Sequence, residues 1–438
     1  MINYIVRILI FAGCSVFLMG SDHRRIGRLE NTEWEEYFAL GANEFPYEIN
    51  SDYPDLSIVG ALVSSSNAVG TATLIAPNVI VTAAHVIKDS YADNLNPSDW
   101  AFYMGADLSH PTSGSGWAAT AKYPIKEFFI HDGWTIRQAA GIRSGDGDGD
   151  ELGVDLALGV LYESVEGYFP GRLPESDDDP LGAVAILSGY GTLIHGRDGT
   201  QDESNRKRTG ARNTIDRSVA KVSKPGVPEI ALGGILGIDF DSPSGTSNTL
   251  GSNNNIELLG NGESNSIALD LEASTAPGDS GGPAFVHTKQ AWRIHGVVSY
   301  GAGGYDDSRY GDVTIYTRLA SHYDWIHSQL PNWHNAKLIG EGDWRESPWL
   351  GPFLPYASNW HFFTELGWMY APIAVGDSLW AWNYLVQDWL WFGFNYFPYV
   401  YAHFSNTWLY ISEENSNALS IRGFDFSQGK WRTFKGTR

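Results

Sequence analysis

The chain has 438 residues, 43% of them apolar, so it can bury a sizeable core and divides into two or three domains. A formal net charge of -22 sets it against phosphate backbones and anionic membranes, which argues against nucleic acid as a partner. Forty-nine glycines and many short apolar runs point to an all-β chain rich in turns.

In chain order, residues 1–20 read as an export signal. Arg7 precedes an apolar run from Ile8 to Met19, and Gly20, Ser21 and Asp22 follow. The run is shorter than the ~20 residues a bilayer span needs. This predicts a secreted, periplasmic or cell-surface protein. Cys14 is the only cysteine and lies inside this segment, so the mature chain is expected to lack disulfides and thiol chemistry. The run Phe11-Ala12-Gly13-Cys14 also resembles a lipoprotein box, which leaves lipidation at Cys14 as the alternative to cleavage. Residues 21–53 follow as a polar leader, helix-prone to residue 39 and carrying Glu30, Glu33, Glu35 and Glu36.

From Pro54 the pattern changes to short apolar strands, including Ser57–Val63, Val79–Thr82, Leu156–Val160, Ile294–Ser299 and Val313–Arg318. Residues 141–151, 195–213 and 242–255 read as surface insertions. The run Asp146 to Glu151 resembles part of a calcium loop, but it lacks the sixth-position glycine and twelfth-position glutamate of an EF-hand. It reads as a solvated acidic loop, and no metal or cofactor is expected. Residues 320–330 fit a short amphipathic helix with Trp325, Ile326 and Leu330 on one face, stopped by Pro331.

After a linker at 332–345, residues 346–438 form a module of their own. Twenty-seven of residues 340–438 are Phe, Trp or Tyr, a composition unlike the rest of the chain. Trp368-Met369-Tyr370, Trp389-Leu390-Trp391 and Trp408-Leu409-Tyr410 recur at spacings of 21 and 19, as stacked β-hairpins would. The module is similar to aromatic repeats at the ends of bacterial exported proteins. Strands this rich in Trp are expected to be core first; a glycan-stacking or cell-surface contact through residues 346–438 is the other reading.

Three segments carry chemistry. In the first, a hydrophobic strand ends at Thr82-Ala83-Ala84-His85, where the small pair lets the backbone pack closely and sets the histidine at the strand's end. In the second, Asp155 stands directly before the apolar run Leu156-Ala157-Leu158, where a buried carboxylate can orient an imidazole. The third is Ala276-Pro277-Gly278-Asp279-Ser280-Gly281-Gly282-Pro283. Its glycines permit a tight backbone that aims the Ser280 hydroxyl outward and lets the amides of Gly278 and Ser280 converge as an oxyanion hole.

TAAH, DLAL and GDSGGP, in that order, resemble the trypsin/chymotrypsin-like serine proteases. The resemblance covers residues 54–331. It implies two six-stranded β-barrels and a closing C-terminal helix, with His85, Asp155 and Ser280 as triad. His85 and Asp155 would come from the first barrel and Ser280 from the second. The function implied is a serine endopeptidase acting on polypeptides through an acyl-enzyme. The departures are the missing disulfides and the lack of an Ile-Val-Gly-Gly start whose new N-terminus would pair with Asp279. Ser299, Tyr300 and Gly301 match the strand that holds substrate backbone. Ser274 falls at the pocket floor, Gly301 leaves one wall open and Thr314 narrows the other. A floor without a carboxylate implies small or medium apolar side chains before the scissile bond. The rival readings are an inactive protease-like binding protein and a surface protein whose main role lies in the aromatic module.

Overall fold

The computed structural model describes residues 26–29, 31–42, 52–66, 68–87, 96–109, 121–139, 152–165, 167–201, 206–251, 255–256, 258–289, 291–302, 308–330, 336–339, 344–347, 349–356, 360–375 and 378–436. The signal segment, Cys14 and the acidic run at 146–151 lie outside them. Among the described residues no helix is long and apolar enough to cross a membrane.

Six antiparallel strands close into a barrel: Val59–Ser64, Val69–Ala76, Val79–Thr82, Trp100–Met104, Ala121–Ile130 and Ala157–Leu161. Val59, Leu62, Leu74, Ile80, Phe102 and Leu158 are fully buried within it. The second β-unit departs from the expected six-stranded barrel. It is a curled seven-stranded sheet that runs from Thr209–Thr214 at one edge to Arg217–Val219 at the other. The first edge is already occupied, because the Arg212 amide donates to the Leu271 carbonyl at 2.8 Å and Arg212 bridges Glu272. That contact takes the place of a ladder to the opposite edge.

The described part of the leader, residues 26–29 and 31–42, is built into this second unit. Ile26–Arg28 lies between Leu193–His195 (parallel) and Ala273–Ser274 (antiparallel). The helix Trp34–Gly41 buries Trp34, Tyr37 and Leu40, and the Tyr37 hydroxyl donates to the Glu272 carbonyl at 2.9 Å. Its last residue is necessarily small, since a Cβ on Gly41 would stand 2.1 Å from the Arg208 carbonyl oxygen. The sequence reading saw the glutamates of this helix, but its apolar face is what docks. The helix at 320–330 is found as a 3-10 turn, Leu319–His322, running into Tyr323–Gln329, with Ile326 fully buried.

The second unit also holds a cluster of carboxylates. Asp216, Asp239, Asp241 and Glu272 are all buried, and Arg217 is the cation beside them. Burial and the neighbouring charge of Asp239 push Asp216 up to about 9. Burial, with Asp239 and Glu272 close by, raises Asp241 to about 8. Burial also brings Glu272 to about 7. These groups therefore hold protons near neutrality.

Residues from Lys337 to Phe434 form an eleven-stranded antiparallel sheet with neighbours in strict chain order. Side chains alternate between its faces. Phe363, Met369, Leu379, Leu390, Val400 and Leu409 are buried on one face. The other face carries cross-strand ladders of aromatics: Trp360, Tyr370, Trp382 and Trp389 in one, Trp380, Trp391, Tyr401 and Trp408 in the next. The rings meet edge to face, as Trp391 and Trp408 do at 6.0 Å and 89°. Trp380 is 42% exposed and Trp431 46%. The tryptophans are thus not the core they were expected to be. The smaller aliphatic residue between each aromatic pair packs the buried face.

Candidate active site

Strand register brings the first two candidate groups together. Thr82 pairs with Ala157 across antiparallel strands, so His85, three residues past Thr82, meets Asp155, two residues before Ala157. The contact is two-pronged. The His85 backbone N–H donates to Asp155 Oδ1 at 2.9 Å, and His85 Nδ1 lies 2.7 Å from Asp155 Oδ2. Asp155 is fully buried and accepts a further hydrogen bond at Oδ2 from the Ser299 hydroxyl at 2.6 Å. Burial alone would raise this carboxyl. The adjacent His85 charge and the hydrogen bonds from His85 and Ser299 outweigh it and hold the group below its ordinary value. An ionised Asp155 keeps the Nδ1 proton on His85, which leaves Nε2 of the neutral ring as the acceptor.

The Asp155 segment is held from behind by a histidine pair. His322 Nε2 is 2.6 Å from the Gly153 carbonyl, and its Nδ1 is 3.2 Å from His131 Nε2. The His131 backbone amide donates to the Leu156 carbonyl at 3.0 Å. Burial lowers His131 to about 4, and burial with the charge of His131 lowers His322 to about 3, so both rings are neutral near pH 7. The Thr317 hydroxyl also donates to the Asp155 carbonyl at 2.9 Å.

Ser280 sits on a turn of the second unit that is stitched to the first barrel. The Thr71 amide donates to the Ser280 carbonyl at 2.8 Å, and the Thr71 hydroxyl donates to the Gly278 carbonyl at 2.7 Å. Thr82 donates back to the Thr71 carbonyl at 2.8 Å. Gly281 has φ +82, and a Cβ there would stand 2.1 Å from Thr82 Oγ1 and 3.1 Å from the Ala83 nitrogen. The Ser280 turn therefore packs against the residues that lead into His85. Among the described residues, neither the Gly278 nor the Ser280 amide donates to a backbone carbonyl.

Asp279, beside Ser280, points inward. It is buried, accepts from the Gly191 and Ala276 amides at 2.8 and 2.9 Å, and is raised by burial to about 7.

The expected recognition residues divide into two groups. Ser274 and Thr314 do meet: their hydroxyls are 3.3 Å apart, and the Thr275 hydroxyl is 3.1 Å from that of Thr314. Among the described residues no carboxylate hydrogen-bonds to this hydroxyl cluster. Gly301 pairs with Thr314 in the sheet and is exposed. The Ser299 side chain turns the other way, onto Asp155. A register shift between Val298 and Tyr300 re-aims it, as β-bulges do beside functional sites. The Tyr300 ring packs with Val222, Ile235, Leu250 and Leu259. The ladder between Pro283–Thr288 and Ala291–Ala302 ends at Val297, so residues 299–302 are laddered on one side only among the described residues. Sequence reasoning missed Thr71, Thr317, His131 and His322. His131 and His322 carry no motif, and Thr71 and Thr317 look like ordinary strand threonines.

The trypsin family model matches residues 51–225 and 242–326, more than half of the chain. The chain belongs to the trypsin family. Curated relatives match over short stretches. Rabbit vitamin K-dependent protein C is 42% identical over 53 residues, 12% of this chain and 11% of that protein. Human transmembrane protease serine 5 is 41% identical over 59 residues, 14% of this chain and 12% of that protein. Mouse tryptase is 44% identical over 54 residues, 12% of this chain and 19% of that protein. The chain thus spans less than a fifth of these relatives' lengths. The trypsin-family match ends at Ile326, short of the aromatic sheet, whose likeness to bacterial exported repeats stays a reading of the sequence.

Proposed function

We propose that the chain is a serine endopeptidase in which Ser280 attacks the peptide carbonyl. His85 Nε2 takes the Ser280 proton and returns it to the leaving amine. Asp155 fixes the ring and stabilises its cationic form. The amides of Gly278 and Ser280 stabilise the oxyanion, and water then hydrolyses the acyl-enzyme. The observation that carries this reading is the two-pronged bond between His85 and buried Asp155, next to a Ser280 turn whose flanking amides are uncommitted. The test is covalent labelling by a fluorophosphonate. Labelling at Ser280 supports an enzyme; a folded protein that resists labelling supports the inactive, binding-only alternative.

For specificity, the one-sided strand at Ser299–Gly301 would pair with an extended substrate backbone. Ser274 and Thr314 would line the side-chain pocket. Among the described residues, a Lys or Arg head placed there meets hydroxyls and only the Asp279 carboxyl. Burial raises that carboxyl to about 7 and it already accepts from the Gly191 and Ala276 amides, so the head would be desolvated with little counter-charge. A peptide library should therefore rank Ala, Val and Leu above aromatics before the scissile bond, and aromatics above basic residues. Steps among the apolar residues should be about 1–3 kcal/mol. A profile led by Arg or Lys would overturn this pocket.

A second reading concerns the aromatic sheet. Among the described residues, the two half-exposed ladders, Trp360 to Trp389 and Trp380 to Trp408, consist of aromatic rings with no Asp, Glu, Lys or Arg in them, which suits stacking on an uncharged polysaccharide. The sheet has its own core, separate from that of the first barrel. Deleting residues 346–438 should therefore spare cleavage of short peptides while abolishing retention on an insoluble neutral polysaccharide. Equal retention of the full chain and the truncated one would rule the contact out.

A further inference from the structure

His131 and His322, the buried pair behind Asp155, take no part in the reaction proposed above, yet their protons can be placed one by one. The Gly133 amide donates to His131 Nδ1 at 3.1 Å. A backbone N–H can only donate, so that nitrogen is bare and the proton of His131 sits on Nε2. Nε2 lies 3.2 Å from His322 Nδ1, which must then accept. The proton of His322 is thereby left to its own Nε2, which donates to the Gly153 carbonyl at 2.6 Å. The bonds run one way, from Gly133 through His131 and His322 to Gly153. A second proton on either ring would set two N–H groups face to face, which adds to the burial that already lowers both.

The surroundings are shaped to this arrangement. A Cβ on Gly133 would stand 3.0 Å from His131 Nδ1 and 2.3 Å from the Ile230 carbonyl oxygen. A Cβ on Gly233 would stand 2.7 Å from His322 Nε2 and 2.0 Å from the Gly153 carbonyl oxygen, so only glycine leaves room for the contact. The two rings cross at 76° with centroids 4.6 Å apart, and Trp325 packs on His131 at 4.9 Å. Every ring nitrogen is engaged, which leaves neither ring a lone pair for a metal ion.

The pair grips the backbone on both sides of Asp155. His322 holds the Gly153 carbonyl, two residues before it, and the His131 main-chain amide donates to the Leu156 carbonyl, one residue after it, at 3.0 Å. Asp155 must meet His85 at two points at once, the backbone N–H and Nδ1. We propose that His322, its ring direction set by His131, is a positioning residue for the reaction: it fixes the Gly153 carbonyl and so holds Asp155 where it can orient His85. This rests on the reading of Ser280, His85 and Asp155 as the reacting groups. A misplacement of ~1 Å in such a site can cost ~100-fold in rate, so slackening of the Asp155 segment should appear in kcat. The hydroxyls of Ser274 and Thr314 lie on other strands and bind neither histidine, so KM should hardly change.

The test measures kcat and KM on a short peptide with folded, full-chain variants. His322→Leu removes the donor and should lower kcat about tenfold or more, with KM within about twofold of the wild type. His322→Gln can place an N–H near the position of Nε2 and should recover most of that loss. In an Asp155→Ala background, His322→Leu should cost less than about twofold, because the group it positions is gone. A residue that served only the fold would cost the same in both backgrounds. Nitrogen NMR of the labelled chain should show both rings in the Nε2–H form at pH 7, whatever the activity. His131→Leu leaves His322 Nδ1 without its donor and should lower kcat severalfold. An active wild type whose folded His322→Leu variant keeps its kcat would overturn the proposal, as would equal losses with and without Asp155. So would an Nδ1–H ring at either position. Wild-type kcat in His131→Leu would overturn it even if His322→Leu did not fold. A wild type that neither cleaves nor takes a fluorophosphonate at Ser280 would overturn the Ser280 reading and the positioning role with it; every other adverse outcome touches the positioning role alone.

Discussion

Replacing Ser280 by alanine should leave a folded protein whose peptide hydrolysis is lower by roughly 10⁶-fold, and His85→Ala should do nearly the same. The reason is cooperative chemistry. Without Ser280 there is no nucleophile for His85 to activate, and without His85 the Ser280 hydroxyl keeps its proton. The double variant should therefore be little worse than either single one. Asp155→Asn should be damaging for a different reason. An amide in place of the carboxylate cannot stabilise the cationic ring. Its NH₂ could also face Nδ1 and drive the proton to Nε2, the wrong nitrogen for a base. The fold should tolerate Ser280→Ala, since the Ser280 backbone carbonyl, not its side chain, carries the bond from Thr71. Near-native turnover by a folded Ser280→Ala protein would refute the assignment of the nucleophile.

Stability should fall as pH rises from 6.5 to 9, the reverse of what an acidic protein with ion-paired carboxylates shows. The carboxyls of Asp216, Asp241, Glu272 and Asp279 are raised in the fold to about 9, 8, 7 and 7. Their unfolded values lie near 4. Through this window the native state therefore holds protons that the unfolded state has already released, and stability drops as pH climbs through the folded values. For Asp216 alone, 2.5 pH units correspond to an order of 3 kcal/mol, a large part of a typical 5–15 kcal/mol total.

The buried histidines oppose this fall only at the lower end of the window. His131, His295 and His322 are lowered to about 4, 4 and 3, so they are neutral in the fold throughout. In the unfolded chain they titrate near 6.5 and give up their remaining protons by about pH 7.5, so the fall should be clearest from about 7.5 to 9. The Arg217 guanidinium faces the cluster and donates to the Asp216 and Gly262 carbonyls. Asp216→Asn mimics the protonated carboxyl and should flatten the slope, which denaturant melts at pH 6.5 and 9 would measure. An unchanged slope would show that Asp216 is not the group that titrates.

The sequence by itself determined the local chemistry. TAAH, DLAL and GDSGGP single out His85, Asp155 and Ser280 as the candidate triad, His85 after a small pair at a strand's end, Asp155 before an apolar strand and Ser280 between glycines. It also set the β class, the helix near residue 326 and the separate aromatic module, since those rest on periodicity and composition within short windows. Contacts between distant segments were out of its reach. Thr71, which ties the Ser280 turn to the first barrel, is 207 residues from Gly278, and only the packing of two β-units puts them at 2.7 Å. The bulge that turns Ser299 from substrate strand to support of Asp155 is a register property, invisible in a row of alternating residues. The leader's role was hidden because the helix Trp34–Gly41 shows its glutamates in sequence, while Tyr37 and Leu40 find their partners only on a sheet formed much later in the chain. For the aromatic module, the twofold alternation of a strand was legible, but which face is buried was not. Burial is decided by what packs opposite, and here the aliphatic residues meet one another and leave the tryptophans outside.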